Sequence, residues 1–402
     1  MDCHATKLLS GSDGARDRDD SPTATDPAVE GAAEKRPSLK QALLAAVFAA
    51  AIVSVVLLAF SWPTVTSDPR DLPIAAVGDQ EQIDQIAENA PEGILDLKQV
   101  DSRDEAVQLI HEREVYGAFI LGDDPEILTS SAASPAVAQQ LNGIGTSMQQ
   151  KIDQQAISGM QDGMKKMQDA LAAAAQGPGG PGAASGDQAQ APDATAPDAS
   201  AMEIPQVKIT DVVPLDEDDS TGAGLAIAGL PLTIGGIVGG VITTMLVHSR
   251  RMRAVAVLAY GAIGGLALTL ILQSWFGILQ GNFGLNVLAS GLAVAATAGL
   301  INGFVSLLGP GGIAIGAVLT MFIGNPISSL QAPKEFLAGA WGDIGQFFVP
   351  GASGTLLRDL SYFPDAPMAM QWWVLIGWFA LGIALILVGH FVAHAKRRKA
   401  LH

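Results

Sequence analysis

The stretch AVAVLAYGAIGGLALTLILQSWF, residues 254–276, opens a run that reaches Pro333 without a single Asp, Glu, Lys, Arg or His. One crossing of a bilayer needs about 20 mostly apolar residues. The run is long enough for three crossings, with glycine-rich breaks at residues 277–284 and 308–312. This stretch therefore predicts an α-helical polytopic membrane protein.

Three more apolar segments, at residues 41–60, 222–247 and 372–393, bring the predicted number of transmembrane helices to six. Forty residues precede the first segment and no small-residue cleavage site follows it, so we expect an uncleaved anchor and not a signal peptide. The predicted membrane parts are transmembrane helix 1 at residues 38–61 and a five-helix domain at residues 222–395.

Basic residues near the ends of these segments predict the orientation of the chain. Cytoplasmic ends of membrane helices are enriched in Lys and Arg. With six crossings, all three basic clusters fall on one side, so we expect both termini in the cytoplasm. The clusters are Lys35, Arg36 and Lys40; Arg250, Arg251 and Arg253; and Lys396, Arg397, Arg398 and Lys399.

The charge of the 402-residue chain is unevenly distributed. Residues 41–221 carry eight Lys/Arg and 28 Asp/Glu, a net charge of −20, within a total of −17. Such an acidic region argues against a nucleic-acid partner, because phosphate binding needs clustered Lys and Arg. Cys3 is the only cysteine, so an intramolecular disulfide or a zinc site built from several thiolates is impossible.

Residues 62–221 are predicted to form an extracytoplasmic α/β domain between the first two membrane helices. Apolar strand patterns at residues 72–78, 94–100 and 115–122 alternate with helical patterns at 79–90 and 102–114. Strand–helix–strand–helix–strand order predicts a small sheet with crossover helices.

A long helix is expected from about Ser134, with Pro135 at its first position, to about Ala175. It either packs on its own domain or forms a coiled coil with a second copy of the chain. Residues 1–37 and 177–201 have the composition of disordered segments, and residues 396–402 form a basic tail. The apolar stripe of the long helix is Val137, Leu141, Ile144, Met148, Ile152, Ile157, Met160, Met164, Met167 and Leu171.

Glycines in the predicted membrane helices recur four residues apart, a spacing that lets helices approach closely. We interpret them as packing positions of the bundle, with a sliding interface for gating as the alternative. These candidate positions are Gly235 and Gly239, Gly236 and Gly240, Gly261 and Gly265, and Gly299 and Gly303.

Motifs for chemistry are missing from the sequence. No phosphate-binding loop of the type G-x-x-x-x-G-K-[S/T] occurs, and the predicted spans carry no carboxylate or basic residue. His390 and His394 are four residues apart but have no third ligand nearby, so no metal site is expected. We predict that the chain is not an enzyme and has no catalytic residue, cofactor or metal.

Two short segments remain as candidates for contacts with other molecules. The sequence SRRMR, residues 249–253, is either an orientation signal or a docking site for a cytoplasmic partner. Residues 325–367 are too apolar for a plain loop, and the part at about 334–360 predicts two amphipathic helices in the outer leaflet of the bilayer. The residues expected to face lipid there are Phe336, Trp341, Phe347 and Phe348.

The layout and several motifs resemble the type-2 ABC exporter membrane subunits, in the branch around the phage-infection protein and bacterial "ABC transporter permease" proteins. The resemblance covers residues 72–141 and 212–402. The motifs that carry it are LPIAAVG, SRDEAVQLIHEREVYGAFILG, LTSSAASPAVAQQL, DVVPL at residues 211–215 and VPGASGTLLRDLSYF at residues 349–363.

This resemblance implies a multi-pass subunit of the bacterial plasma membrane that forms a homodimer or pseudo-dimer and works with a separate cytoplasmic ATPase. It would export an amphiphilic or cell-envelope substrate, and Arg250, Arg251 and Arg253 would form the link to the ATPase. Family members of the phage-infection type imply an alternative, a surface receptor or secretion-accessory scaffold without transport activity.

Overall fold

The computed structural model describes residues 39–90, 93–122, 124–175, 205–216, 219 and 221–399. The predicted tail at 1–37, the linker at 177–201 and residues 400–402 lie outside the described residues. The chain divides into two compact units, Met1–Ile52 and Val53–His402. In the first unit the described residues belong to one helix, α1 (Leu39–Val65), which continues into the second.

A five-stranded sheet forms the acidic half of the second unit, with strand order β2-β1-β3-β4-β5. Strand β1 pairs in parallel with both β2 and β3, β3 and β4 are antiparallel, and β4 and β5 are parallel. The strands are β1 (Leu72–Val77), β2 (Leu95–Gln99), β3 (Gly117–Ile120), β4 (Glu126–Thr129) and β5 (Lys208–Asp211).

Three helices connect these strands and cover the sheet: α2 (Gln80–Asn89), α3 (Arg103–His111) and α4 (Pro135–Ala175). The central strand β1 reads as a continuous apolar run because helices cover both of its faces, and Ile74, Ala75 and Ala76 are fully buried. Helix α3 begins at Ser102, whose hydroxyl accepts a hydrogen bond from the Glu105 amide at 3.2 Å.

Helix α4 has two halves with different surroundings. In the first half Val137 and Leu141 are buried against the sheet, and a Cβ added at Gly145 would lie 3.0 Å from Ile127 of β4. In the second half every residue from 157 to 170 is exposed. The long helix therefore packs on the sheet over its first turns and then projects away from it.

Among the described residues, four helices are long and apolar enough to cross a membrane: α5 (Ala223–Leu246), α6 (Arg250–Thr269), α7 (Phe283–Leu308) and α11 (Ala369–Lys399). Helix α6 continues as a π-helical segment, Leu270–Trp275, and the apolar part of α11 is Ala369–Val392. Helix α7 is central, since α5, α6 and α11 all pack on it. These helices make the chain a membrane protein by length and composition.

The other two predicted crossings are shorter apolar helices among the described residues, Val53–Pro63 within α1 and Gly311–Gly324. The latter comprises α8 (Gly311–Ala317) and a π-helical continuation, Val318–Gly324. At 1.5 Å per residue it spans about 20 Å, short of the roughly 30 Å of a hydrocarbon core. The six-span topology and the cytoplasmic position of both termini stay predictions.

The segment between α8 and α11 folds into a 3₁₀ turn (Lys334–Phe336), α9 (Trp341–Gly345) and α10 (Val349–Tyr362). Only α10 is long, and it packs on α7, α5 and α11. The prediction that Phe336 faces lipid is wrong, because Phe336 is buried in a core shared with the sheet. Trp341 and Phe347 are exposed, at 45% and 56% of their surface.

Candidate functional site

A groove of about 1190 Å³ lies between α2 and α4 over one face of the sheet. Helix α4 forms one wall with Ile144, Met148 and Ile152, and Ile86 of α2 lies opposite. These four apolar side chains are only half-buried, so the groove exposes apolar surface. The groove is slightly larger than the roughly 300–1,000 Å³ of most small-molecule sites.

The polar residues of the groove are glutamines, one serine and one lysine. Lys151 is the only charged residue among the described residues that line it, and none of these is acidic. Helix α2 turns Gln82 and Gln85 toward the groove, whereas Glu81, Asp84 and Glu88 are not among its lining residues. Acidic side chains are thus kept off the groove within the most acidic part of the chain.

Sequence reasoning missed this groove. The stripe of Ile144, Met148 and Ile152 predicts a packed helix face, and a helix pattern alone does not distinguish full from partial coverage. The only available signal was the change from acidic to uncharged residues along one face of α2.

A cluster of buried charges joins the sheet region to α10. Arg113, which follows α3, pairs with Asp359 of α10 at 2.5 Å, and the two side chains are 16% and 3% exposed. Tyr116 donates its hydroxyl proton to Glu335 at 2.8 Å, and Arg358 donates to the Leu330 carbonyl at 3.2 Å. The cluster brings together residues more than 200 positions apart in the chain.

The backbone of Arg113 adopts a conformation that favours glycine, which indicates that arginine is needed there for its side chain. The Arg113 amide donates to Ile110 and the Glu114 amide to Leu109, the pattern that ends a helix with a left-handed residue. Glycine is favoured at that position, and the left-handed backbone of any other residue there costs about 1 kcal/mol of stability. Arg113 adopts φ +60°. Its guanidinium also lies 5.7 Å from the ring centroid of Phe363.

Burial and charge act against each other within this cluster. Burial works to lower the pKa of Arg113, but Asp359, Tyr116 and Glu335 together outweigh it and the pKa is raised. Burial raises the pKa of Asp359, and the charge of Arg113 opposes that rise. Burial, followed by repulsion from Arg113, lowers the pKa of Arg358 to about 10. The geometry favours an ionised Arg113–Asp359 pair, which makes each partner dependent on the other.

The glycines singled out in the sequence lie at contacts between the apolar helices. A Cβ on Gly265 would lie 2.5 Å from the Gly291 Cα of α7, and one on Gly261 2.8 Å from the Ala295 Cβ. Gly236 and Gly240 of α5 face Thr297 and Ile301 of α7 in the same way. The remaining positions differ in tightness: Gly239 faces the Tyr260 ring, Gly303 faces Leu385, and Gly235 and Gly299 have looser neighbours at 3.8 and 3.7 Å.

Asn302 sits at the centre of this packing and is fully buried. Its amide nitrogen donates to the Thr243 hydroxyl at 2.7 Å and to the Gly240 and Ala298 carbonyls. Asn302 therefore connects α5 and α7 by hydrogen bonds, as expected for a polar residue turned toward a helix bundle.

The three arginines of the predicted link occupy different positions. Arg253 donates to the carbonyls of Val247 and Thr244 at the end of α5, so it serves the connection between α5 and α6. Arg251 donates to the His390 ring of α11 at 3.1 Å. The Arg250 side chain makes no hydrogen bond or ion pair with the other described residues. Arg250 is thus the member whose side chain has no partner among the described residues, and Arg251 stays exposed beside its contact with His390.

Two aromatic pairs connect the segment before α11 to other helices. Trp341 meets Trp62 of α1 edge to face at 6.4 Å, and Phe348 stacks on Trp378 of α11 at 6.1 Å. The Trp378 indole also donates to the Phe347 carbonyl at 2.7 Å. Phe348 therefore packs within the protein, while Trp341 and Phe347 keep exposed surface.

Within the part of the chain that the structure describes, no group of three His, Cys, Asp or Glu side chains could hold a metal ion. Comparison of the chain with protein-family models, curated proteins and solved structures finds no match. The candidate site is therefore defined by the groove, the buried charge cluster and the basic link themselves.

Proposed function

We propose that the chain is the permease-like membrane subunit of an exporter in a bacterial plasma membrane, working with a separate cytoplasmic ATPase. It would move an amphiphilic or cell-envelope substrate outward, with six crossings, both termini cytoplasmic and the sheet outside. The apolar helices, the missing phosphate-binding loop and the resemblance to type-2 ABC exporter subunits support this proposal.

The observation that carries the proposal is the buried charge cluster between the sheet region and α10. Arg113 and Asp359 tie a groove-bearing sheet to a helix that packs on three of the apolar helices. A buried pair resists separation, because removing either partner leaves an uncompensated charge. In the proposed exporter, movement of the apolar helices would therefore be passed on to the sheet when substrate moves outward.

The link of Arg250 and Arg251 provides the first test. We expect Arg250→Glu with Arg251→Glu to lower recovery of an ATPase with the purified full-length protein by about tenfold, because like charges would meet at the contact. The measurement is mass spectrometry of complexes isolated from native membranes, with ATP hydrolysis as a second readout.

Lys165→Glu, a charge reversal on the exposed half of α4, is the matched control and should recover the ATPase normally. Arg253 is left intact because it caps α5. The proposal fails if wild-type protein recovers no ATPase, or if the double variant recovers as much as the control.

The second candidate function is a surface receptor or secretion-accessory scaffold. The free half of α4, exposed on every side, favours it because such a surface suits a binding partner. This candidate predicts that deleting residues 71–202 abolishes the biological phenotype while the double link variant changes nothing. The exporter predicts that both changes abolish it.

We also propose that two copies associate as a homodimer through the second half of α4. Ile157, Met160, Met164 and Met167 follow the three-four spacing of a coiled-coil seam and are 38–65% exposed. The flanking seam positions, Gln161, Gly163, Gln168 and Ala170, carry no charge, so two identical helices would not repel each other. Most helical stability in proteins comes from the packing of an amphipathic face, which favours a partner for this exposed half.

Cysteine cross-linking tests the homodimer. In a Cys3→Ser background, which removes the only cysteine, we expect Met164→Cys to give disulfide-linked dimers on mild oxidation in membranes. Asp162→Cys, two residues away on the opposite side of the seam, should give few. Equal cross-linking at both positions, or none at either, would rule out this seam.

A further inference from the structure

We propose that the groove between α2 and α4 binds an acyl chain of an anionic membrane lipid, with Lys151 at the lipid headgroup. This inference rests on the proposed export function and names the class of its substrate. The groove could nevertheless bind lipid in a protein that recruits no ATPase. A negative result for the ATPase would therefore contradict the export proposal and leave the lipid proposal intact.

The shape and lining of the groove suit a long flexible chain. Its volume of about 1190 Å³ exceeds that of most sites for compact metabolites. Ile86, Ile144, Met148 and Ile152 all keep part of their surface in contact with water. An acyl chain would remove that apolar surface from water, and the unbranched Met148 side chain can adjust to its path.

The charges around the groove favour an anionic headgroup. Lys151 has no carboxylate within ion-pair distance among the described residues, and Gln155 lies one helical turn beyond it. On the opposite wall α2 presents Gln82 and Gln85 and keeps Glu81, Asp84 and Glu88 off the groove. Because the acidic residues of α2 do not line the groove, the positive charge of Lys151 is free to complement a single negative charge on a ligand.

The position of the groove favours a lipid taken from the bilayer. Pro69 lines the groove and follows the end of α1 at Val65 by four residues. Helix α1 contributes the apolar stretch Val53–Pro63. The groove therefore starts close to the end of an apolar helix, where a lipid leaving the membrane would first meet the sheet region.

The test uses full-length protein in phosphatidylcholine nanodiscs with trace photoactivatable phosphatidylglycerol, whose diazirine is on the acyl chain. After illumination, mass spectrometry measures labelling of α2 and the first half of α4. We expect labelling there to be about fivefold higher than with a phosphatidylcholine probe of the same chain, and Lys151→Glu to remove that difference.

Two glycines of α4 supply a matched pair of variants. A Cβ on either Gly143 or Gly159 meets no atom within 4 Å, but only Gly143 lines the groove. Gly143→Trp should fill the groove and lower labelling by both probes about tenfold, whereas Gly159→Trp should leave it unchanged.

The proposal is overturned if labelling of α2 and α4 is no stronger than in the exposed half of α4, or if Gly143→Trp leaves it unchanged. Equal labelling by the two probes would overturn the anionic headgroup. Cross-links from the groove to a second copy or to another protein would identify a different occupant.

Discussion

Replacing Asp359 by alanine will destabilise the protein by about 3–5 kcal/mol, because it leaves the Arg113 guanidinium buried without its partner. Arg113 is only 16% exposed, and its remaining neighbours include the positive charge of Arg358. The measurement is thermal or denaturant unfolding of the purified protein in mild detergent. Asp365→Ala, which removes an exposed carboxylate a few residues away, is the matched control and should change little.

Two further variants separate the ion pair from simple loss of packing. Arg113→Gly relieves the left-handed backbone by about 1 kcal/mol yet leaves Asp359 buried and unpaired, so it should still destabilise the protein. Replacing both partners, Arg113→Met with Asp359→Leu, should recover much of the stability because neither member of the pair is left buried without the other. If Asp359→Ala proves as harmless as Asp365→Ala, the cluster does not hold the sheet region to α10.

The double variant also bears on function. It would keep the sheet and α10 joined by apolar contact while removing the directional pairing of the charges. If the chain is the exporter proposed above, a stable double variant that has lost export would assign the pair a role in transmitting movement. A stable double variant that still exports would make the pair a structural contact only.

The local elements of this protein follow from short-range sequence patterns. The strand at Leu72–Val77 follows from an apolar run, the start of α3 from Ser102 and Glu105, and the start of α4 from Pro135. The charge-free run likewise predicts helices α6 and α7, because only a bilayer or a very large core accommodates such a sequence. Each of these features depends on residues within one or two turns of each other.

Features that depend on distant residues could not be predicted. Arg113 and Asp359 are 246 positions apart, and nothing in either neighbourhood indicates the other. Phe336 has the spacing of a lipid-facing residue but is buried beside the sheet, since tertiary contacts decide which apolar face is covered. The apolar helix at Gly311–Gly324 is shorter than the charge-free sequence around it, because it is bounded by turns that hydropathy does not register.

Gly265→Ala will separate α6 from α7 and destabilise the apolar bundle by about 3 kcal/mol. The added Cβ would lie 2.5 Å from the Gly291 Cα and the Val287 carbonyl oxygen, both backbone atoms that cannot move aside without displacing the helix. Gly264→Ala is the matched control, because its nearest neighbour is the Val294 side chain at 3.5 Å, an ordinary contact. Unfolding in mixed detergent micelles measures the difference between the two variants.

The same pair distinguishes static packing from gating. Under the proposed export function, if the contact between Gly265 and Gly291 is a fixed packing position, Gly265→Ala protein that folds at low temperature should export at a normal rate per folded molecule. If α6 slides along α7 during transport, the folded fraction should lose export, because a methyl group would have to pass the Val287 and Gly291 backbone. Equal stability of the Gly264→Ala and Gly265→Ala proteins would contradict the close approach of these helices and remove the basis for both interpretations.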